Sequence, residues 1–123
     1  MMGLNEIGGA ETRYGSAQLS ISGSPTQVIR IDGDVDLANA YDIDNRVSAA
    51  YRPDIDHVVV DLGGTTYLDS VGLAMLVRLS SRLAAARTSV IMVAPPESVA
   101  HRVIALSGLV FELALRNEWT PTL

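Results

Sequence analysis

A chain of 123 residues with 48% hydrophobic and 19% charged residues is long enough to bury one core and too apolar to be disordered. The net charge of -5 disfavours non-specific binding to nucleic acid or to an anionic membrane, because both would repel the chain at long range. The chain has no cysteine for disulfides or thiolate metal sites, and no apolar run approaches the roughly 20 residues of a membrane span. We therefore expect a globular domain, in the cytoplasm, that binds a protein or a small ligand.

The first part of the chain predicts a flexible arm followed by a hairpin. Residues 1–15 hold four glycines and no regular period, so we expect a flexible N-terminal arm. Residues 17–22 alternate weakly and residues 27–33 alternate clearly between apolar and polar side chains. The turn-forming residues 23–26 lie between them, which predicts two antiparallel strands.

Strand and helix patterns then alternate along the chain. Apolar residues recur at three- and four-residue steps over residues 37–51, which predicts an amphipathic helix that Asp36 caps and Pro53 ends. The Val-rich run over residues 57–61 is typical of a strand buried in a parallel sheet, and residues 71–86 favour a second helix.

The last part of the chain repeats this pattern. Residues 89–93 predict another buried strand, and residues 97–107 a third helix. Gly108 is suited to the left-handed conformation that ends many helices, and residues 110–115 predict a final strand.

These elements predict one α/β domain over residues 16–116, with a short tail over residues 117–123. Short right-handed connections predict a mostly parallel sheet of about five strands with an antiparallel edge strand, packed with helices. In such sheets the functional loops meet at the carboxyl ends of the parallel strands. Residues 33–36 should therefore lie close to Asp69 and Ser70.

The second helix carries a stripe that its core-facing leucines do not explain. At roughly 100° per residue, Leu73, Leu76, Leu79 and Leu83 fall on one side. The other side carries what we call the arginine stripe, composed of Val71, Met75, Arg78 and Arg82. Because arginines need water or an acidic partner, we expect Val71 and Met75 to be at least partly exposed beside Ser70. Ser70 or Asp69 can also simply cap the helix.

A catalytic role for Ser70 has little support in the sequence. The surrounding residues do not form a Gly-x-Ser-x-Gly elbow, and the chain has only two histidines, His57 and His101. His57 begins its predicted strand, at the end opposite Ser70, and is a poor general base there. We expect no catalytic site.

Metal and nucleotide sites are also not expected. Asp32, Asp34 and Asp36 have the spacing that opens a calcium loop, but Leu37 and Ile43 stand where that loop requires glycine and glutamate. No glycine-rich phosphate-binding motif is present. We predict neither a metal nor a cofactor.

An ordered set of motifs resembles the STAS domains, in particular the bacterial anti-sigma-factor antagonists. The matching pieces are Gly-Asp-Val-Asp-Leu-Ala-Asn-Ala over residues 33–40 and the strand Val-Val-Val-Asp-Leu over residues 58–62. They continue with Tyr-Leu-Asp-Ser-Val-Gly-Leu over residues 67–73 and Leu-Ser-Gly-Leu over residues 106–109. Together they span about residues 17–115 at the family's spacing.

This resemblance implies a binding domain without catalysis of its own. The serine at position 70 would be phosphorylated by an anti-sigma factor that is also a serine kinase. The unmodified form would bind that factor and free a sigma factor, and a serine phosphatase would restore it after phosphorylation. We expect a monomer or weak dimer without nucleic-acid or membrane partners. The predicted partner-binding residues are Gly33, Asp34, Asp36, Asp69, Ser70, Val71, Gly72, Met75, Arg78 and Arg82, with Asp69 orienting the Ser70 hydroxyl or contacting the partner.

Two features depart from the family pattern. Val71 stands where many members have a second serine or threonine, which leaves Ser70 as the only hydroxyl that follows the signature aspartate. Residues 117–121 are too short for the usual C-terminal helix. A scaffold or ligand-sensing module of a larger signalling assembly, without serine phosphorylation, is the alternative, and a small hydrolase using Ser70 is a third possibility.

Overall fold

The computed structural model describes residues 10–120, which form a seven-stranded sheet and three helices. The strands and helices, numbered among the described residues, are β1 Ala10–Tyr14, β2 Ala17–Ser22, β3 Thr26–Val35, α1 Ala40–Ala50, β4 His57–Asp61, β5 Thr65–Leu68, α2 Ser70–Ala85, β6 Ser89–Val93, α3 Val99–Leu106 and β7 Leu115–Arg116.

The sheet combines an antiparallel edge with a parallel centre. Its strand order is β1-β2-β3-β4-β6-β7, and β5 pairs with the end of β3. The β1–β2 and β2–β3 pairs are antiparallel, whereas β3–β4, β3–β5, β4–β6 and β6–β7 are parallel. The predicted α/β fold with a mostly parallel sheet is confirmed, and the antiparallel part has one strand more than expected.

All three helices lie on one face of the sheet. The chain steps from β3 to β4, β6 and β7 in one direction, and right-handed crossovers then place every intervening helix on the same side. Strand residues on that side are buried with helix residues in one core, which includes Ile29, Ile31, Val58, Val60, Ile43, Leu76, Leu79 and Ile104. No helix within residues 10–120 is both long and apolar enough to cross a membrane.

The opposite, helix-free face is partly charged. Arg30 contacts the Asp32 carboxylate at 3.2 Å, and both side chains are well exposed. The hydrogen bond from Arg30 and the charge of Asp32 raise the pKa of Arg30, with a further contribution from Asp61. Nearby, a cavity of about 400 Å³ is lined by Thr26, His57, Val58, Val59, Ser89, Ile91 and Trp119.

Part of the expected N-terminal arm is instead a strand. Residues 10–14 form β1, which pairs with β2 across a two-residue turn in which Gly15 has a φ of +59°. The prediction of a loose arm is therefore wrong for these residues, because pairing with β2 orders a segment that has little apolar content of its own. Residues 1–9 of the predicted arm and residues 121–123 of the predicted tail lie outside the described residues.

The predicted final strand over residues 110–115 is also wrong. Most of this run forms a turn, in which the Leu113 amide donates to the Leu109 carbonyl at 3.0 Å and the Leu115 amide to the Val110 carbonyl at 2.9 Å. Ala114 has a φ of +48°, which is incompatible with an extended strand. Only Leu115 and Arg116 pair with β6.

Candidate functional site

The ends of β3 and β5 meet at the start of helix α2. β5 extends along the last residues of β3 with Asp34 opposite Tyr67 and Val35 opposite Leu68. The Asp69 amide then donates to the Val35 carbonyl at 3.2 Å, which brings the two connections together. The predicted approach of residues 33–36 to Asp69 and Ser70 is confirmed.

The carboxylate of Asp69 links these two connections. Its Oδ1 accepts from the Gly72 amide at 2.8 Å, as an N-cap of α2 does, and its Oδ2 accepts from the Leu37 amide at 3.1 Å. Asp69 therefore fixes the turn after β3 against the start of α2. Within residues 10–120 it makes no hydrogen bond to the Ser70 hydroxyl.

Ser70 is the first residue of α2, and its side chain is exposed. Its hydroxyl forms no hydrogen bond with any other described residue. Val71 beside it is 36% exposed, and Leu37, held next to Asp69 by its amide, is 74% exposed. A free hydroxyl thus lies at a helix N-terminus, between Asp69, which binds the Leu37 amide, and exposed Val71 in the sequence.

Gly72 allows α2 to pack closely against the ends of β3 and β5. A Cβ at this position would lie 2.9 Å from side-chain carbons of Leu68 and Val35, so only glycine fits without a shift. Because Gly72 is buried, its predicted place in the partner-binding surface is wrong, and the residue positions Ser70 instead.

Gly33 likewise allows a close backbone approach in β3. Its φ is +94°, and a Cβ would overlap the Ser16 carbonyl oxygen. The pairing of β3 with β5 also shifts register between Gly33 and Asp34.

The arginine stripe is exposed at Val71, as predicted, and at Arg78 and Arg82, but the predicted exposure of Met75 is wrong. Met75 is fully buried and belongs to the core. Arg82 contacts the Asp44 carboxylate at 2.6 Å and the Ser48 hydroxyl at 2.7 Å, both on α1. This face of α2 therefore packs toward α1, which supplies the acidic partner that the arginine needs. Arg78 is exposed, eight residues and roughly 12 Å along the helix from Ser70.

Two acidic residues of the predicted site are held by neighbouring groups. The Thr66 hydroxyl donates to Asp34 Oδ1 at 2.6 Å, and the Ala38 amide donates to Asp36 Oδ1 at 2.9 Å. Asp36 was predicted to cap a helix starting at residue 37. It instead stabilises the turn before α1, which begins at Ala40.

Asn39 is a structural residue that the sequence patterns missed. It is 3% exposed, and its Nδ2 donates to the carbonyls of Tyr14 at 3.1 Å and Asp34 at 2.8 Å. Its Oδ1 accepts from the Asp36 amide at 3.0 Å. The available signal was an asparagine near the start of a predicted helix, a position where its side chain commonly binds backbone groups. Asn39 ties the β1–β2 turn to the end of β3.

We expect Asn39→Ala to lower the free energy of unfolding by about 2 to 3 kcal/mol, because it leaves three partly buried backbone groups without their partner. Urea denaturation followed by circular dichroism measures this loss. Asn45→Ala, at an exposed position of α1, is the matched control and should change the free energy by less than about 0.5 kcal/mol. Equal effects of the two substitutions would contradict the role given to Asn39.

Neither histidine is placed to activate Ser70. His57 is the first residue of β4, at the end of the sheet opposite the site, as predicted. His101 lies on α3 with its Nδ1 at 3.2 Å from the Ala94 carbonyl oxygen. Residues 10–120 also contain no group of three or more His, Cys, Asp or Glu side chains arranged to hold a metal ion.

A family model described as the STAS domain matches residues 18–120. This chain belongs to the STAS domain family. The match covers β2 through β7, and therefore both connections that form the site around Ser70.

Solved structures of similar fold include anti-sigma-factor antagonists. One from Mycobacterium paratuberculosis has a TM-score of 0.73 and 24% identity, over 84% of this chain and 87% of that chain. The antagonist SpoIIAA in its unphosphorylated form has a TM-score of 0.64 and 23% identity, over 83% and 89% of the two chains. Bacillus SpoIIAA in its phosphorylated form has a TM-score of 0.61 and 22% identity, over 83% and 92%. At these identities the likeness establishes the shared fold.

Proposed function

We propose that this STAS domain is an anti-sigma-factor antagonist. Its unphosphorylated form binds an anti-sigma factor that is also a serine kinase, and so frees a sigma factor in the cytoplasm. Phosphorylation of Ser70 ends this binding, and a serine phosphatase restores it. The observation that carries the proposal is the exposed, unbonded Ser70 hydroxyl at the start of α2, beside exposed Val71 and Leu37.

The geometry around Ser70 suits a residue that a kinase modifies. The kinase would supply nucleotide, metal ion and base, so this chain needs to present only an accessible hydroxyl. Because that hydroxyl has no partner within the described residues, its modification breaks no hydrogen bond there. A phosphate at the first helical residue also lies near the free amides of the helix N-terminus, which stabilise negative charge.

The proposed docking area is what we call the Ser70 surface, composed of Leu37, Tyr67, Ser70 and Val71. Tyr67 is 50% exposed on β5, opposite Asp34 in the sheet. Leu37, Tyr67 and Val71 are exposed on the three segments that meet at the start of α2, and together they would give a protein partner apolar area to desolvate. Asp34 and Asp36 would border this area, and exposed Arg78, further along α2, would contact the partner outside it.

The same proposal assigns no catalysis to the chain. A hydrolase using Ser70 would need a general base within hydrogen-bond reach, but His57 lies at the opposite end of the sheet and His101 contacts the Ala94 carbonyl oxygen. Reaction of Ser70 with a fluorophosphonate probe would count against this assignment.

A ligand-sensing STAS module without serine phosphorylation is the second candidate function. The cavity of about 400 Å³ beside Trp119 favours it, because hydroxyl, imidazole and indole groups converge there with apolar side chains. Native mass spectrometry of the freshly purified chain distinguishes the two. A small molecule retained at one per chain would favour ligand sensing.

The proposal predicts phosphate on Ser70 when the purified chain is incubated with ATP and the kinase-like anti-sigma factor of the same genome. Mass spectrometry should locate one phosphate per chain in the wild type and in Ser81→Ala, which removes an exposed serine from the same helix. Ser70→Ala should remain unmodified. Equal phosphate incorporation in Ser70→Ala and the wild type would refute the assignment.

A further inference from the structure

Strand β1 leaves one edge of the sheet open. Among the described residues it pairs with β2 alone, and the strand order places it at the end of the sheet. Unpaired amides and carbonyls along such an edge can bind another extended strand.

The turn between β1 and β2 determines which backbone groups face outward. Tyr14 and Ala17 flank a two-residue turn, so they form the hydrogen-bonded closing pair of the hairpin. Hydrogen-bonded and non-bonded pairs alternate in an antiparallel ladder, so Thr12 also bonds to β2. The amides and carbonyls of Glu11 and Arg13 therefore point away from the sheet.

The charges of β1 are self-complementary about Thr12. If a second copy approaches antiparallel with a two-fold axis at Thr12, Glu11 lies directly opposite Arg13 of the second copy, and Arg13 opposite its Glu11. Each of these pairs also exchanges two main-chain hydrogen bonds, because their backbone groups are the ones that face outward. Thr12 meets Thr12 of the second copy, which is a favourable cross-strand pair.

The side chains are already placed for this contact. Glu11 and Arg13 are both exposed and lie on the same face of the sheet, where the Gln18 amide group contacts Glu11 at 3.0 Å and Arg13 at 3.5 Å. Charged residues on an edge usually repel unrelated strands. Because Glu11 and Arg13 have opposite charges, an identical β1 strand that runs antiparallel is attracted instead.

We propose that β1 pairs with β1 of a second copy to form a symmetric dimer with one continuous sheet. The contact uses no residue of the Ser70 surface, so it depends on different residues from the proposed function. A dimer joined by one short strand pair should be weak and should form at the higher concentrations of a dilution series.

Sedimentation velocity of the full chain and of two charge variants tests the proposal. Glu11→Arg and Arg13→Glu each place like charges opposite one another twice, and each should raise the dissociation constant of the dimer at least about tenfold. An equimolar mixture of these two variants restores every opposite-charge pair and should form heterodimers. The double variant Glu11→Arg/Arg13→Glu should dimerise like the wild type.

Circular dichroism of each variant first confirms that the fold is retained. A wild type that stays monomeric at every concentration would overturn the proposal, as would single variants that dimerise like the wild type. A mixture of the two single variants that remains monomeric would also overturn it. Phosphorylation of Ser70 is measured separately in the monomeric Glu11→Arg variant. Failure of the dimer proposal can therefore be distinguished from failure of the proposed function.

Discussion

Replacing Met75 with aspartate is expected to unfold the chain. Met75 is fully buried and belongs to the hydrophobic core. Loss of its packing costs about 2 to 5 kcal/mol, and burying a carboxylate there without a partner adds several more. A domain of this size is stable by only about 5 to 15 kcal/mol, so the variant should lack a cooperative thermal transition by circular dichroism.

Val71→Asp is the matched control, four residues earlier on the same helix. Because Val71 is 36% exposed, the new carboxylate can remain in water, and the free energy of unfolding should change by no more than about 1 kcal/mol. The same substitution should weaken partner binding, since it places a charge in the Ser70 surface. A Met75→Asp variant that melts with the wild type would contradict the placement of α2.

Phosphorylation of Ser70 is expected to weaken binding to the anti-sigma factor at least about a hundredfold. The phosphate adds about 1.5 to 2 negative charges directly after the Asp69 carboxylate. Asp69 is held in place by the amides of Gly72 and Leu37, so it remains close to the new charge. A partner that covers Val71 and Leu37 would have to desolvate this charge pair, and a penalty of about 3 kcal/mol already exceeds a hundredfold in affinity.

The phosphate should leave the fold itself intact. Ser70 is exposed, and its hydroxyl has no hydrogen bond to lose among the described residues. The amides at the start of α2 favour the added charge. The melting temperature of the modified chain should therefore stay close to that of the unmodified chain, which assigns any loss of binding to the interface.

The sequence patterns predicted the parts of this fold in which local and tertiary preferences agree. The Val-rich run of β4 predicted a strand buried on both faces. Its place in the centre of the sheet confirms this prediction. Asp69 before an Ala- and Leu-rich segment predicted the start of α2, where it is the N-cap. The alternation of strand and helix was enough to predict that residues 33–36 lie next to Ser70.

The errors arose where tertiary contacts decide the outcome. A helical projection of α2 separates two faces, but it cannot show that Met75 of the second face is buried and that Arg82 binds Asp44 of α1. Strand β1 is polar and exists through its pairing with β2. Strand β5 has only four residues, which is too few for a recognisable periodic pattern. It forms by pairing with the last residues of β3. Asn39 acts through three backbone partners distributed over two other segments.

The central claim is that the modification state of Ser70 controls docking at the Ser70 surface. Isothermal titration of the anti-sigma factor with the unmodified chain, and with the chain phosphorylated on Ser70 alone, tests it most directly. We predict at least about a hundredfold weaker binding for the phosphorylated chain. Equal affinities of the two forms would contradict the claim.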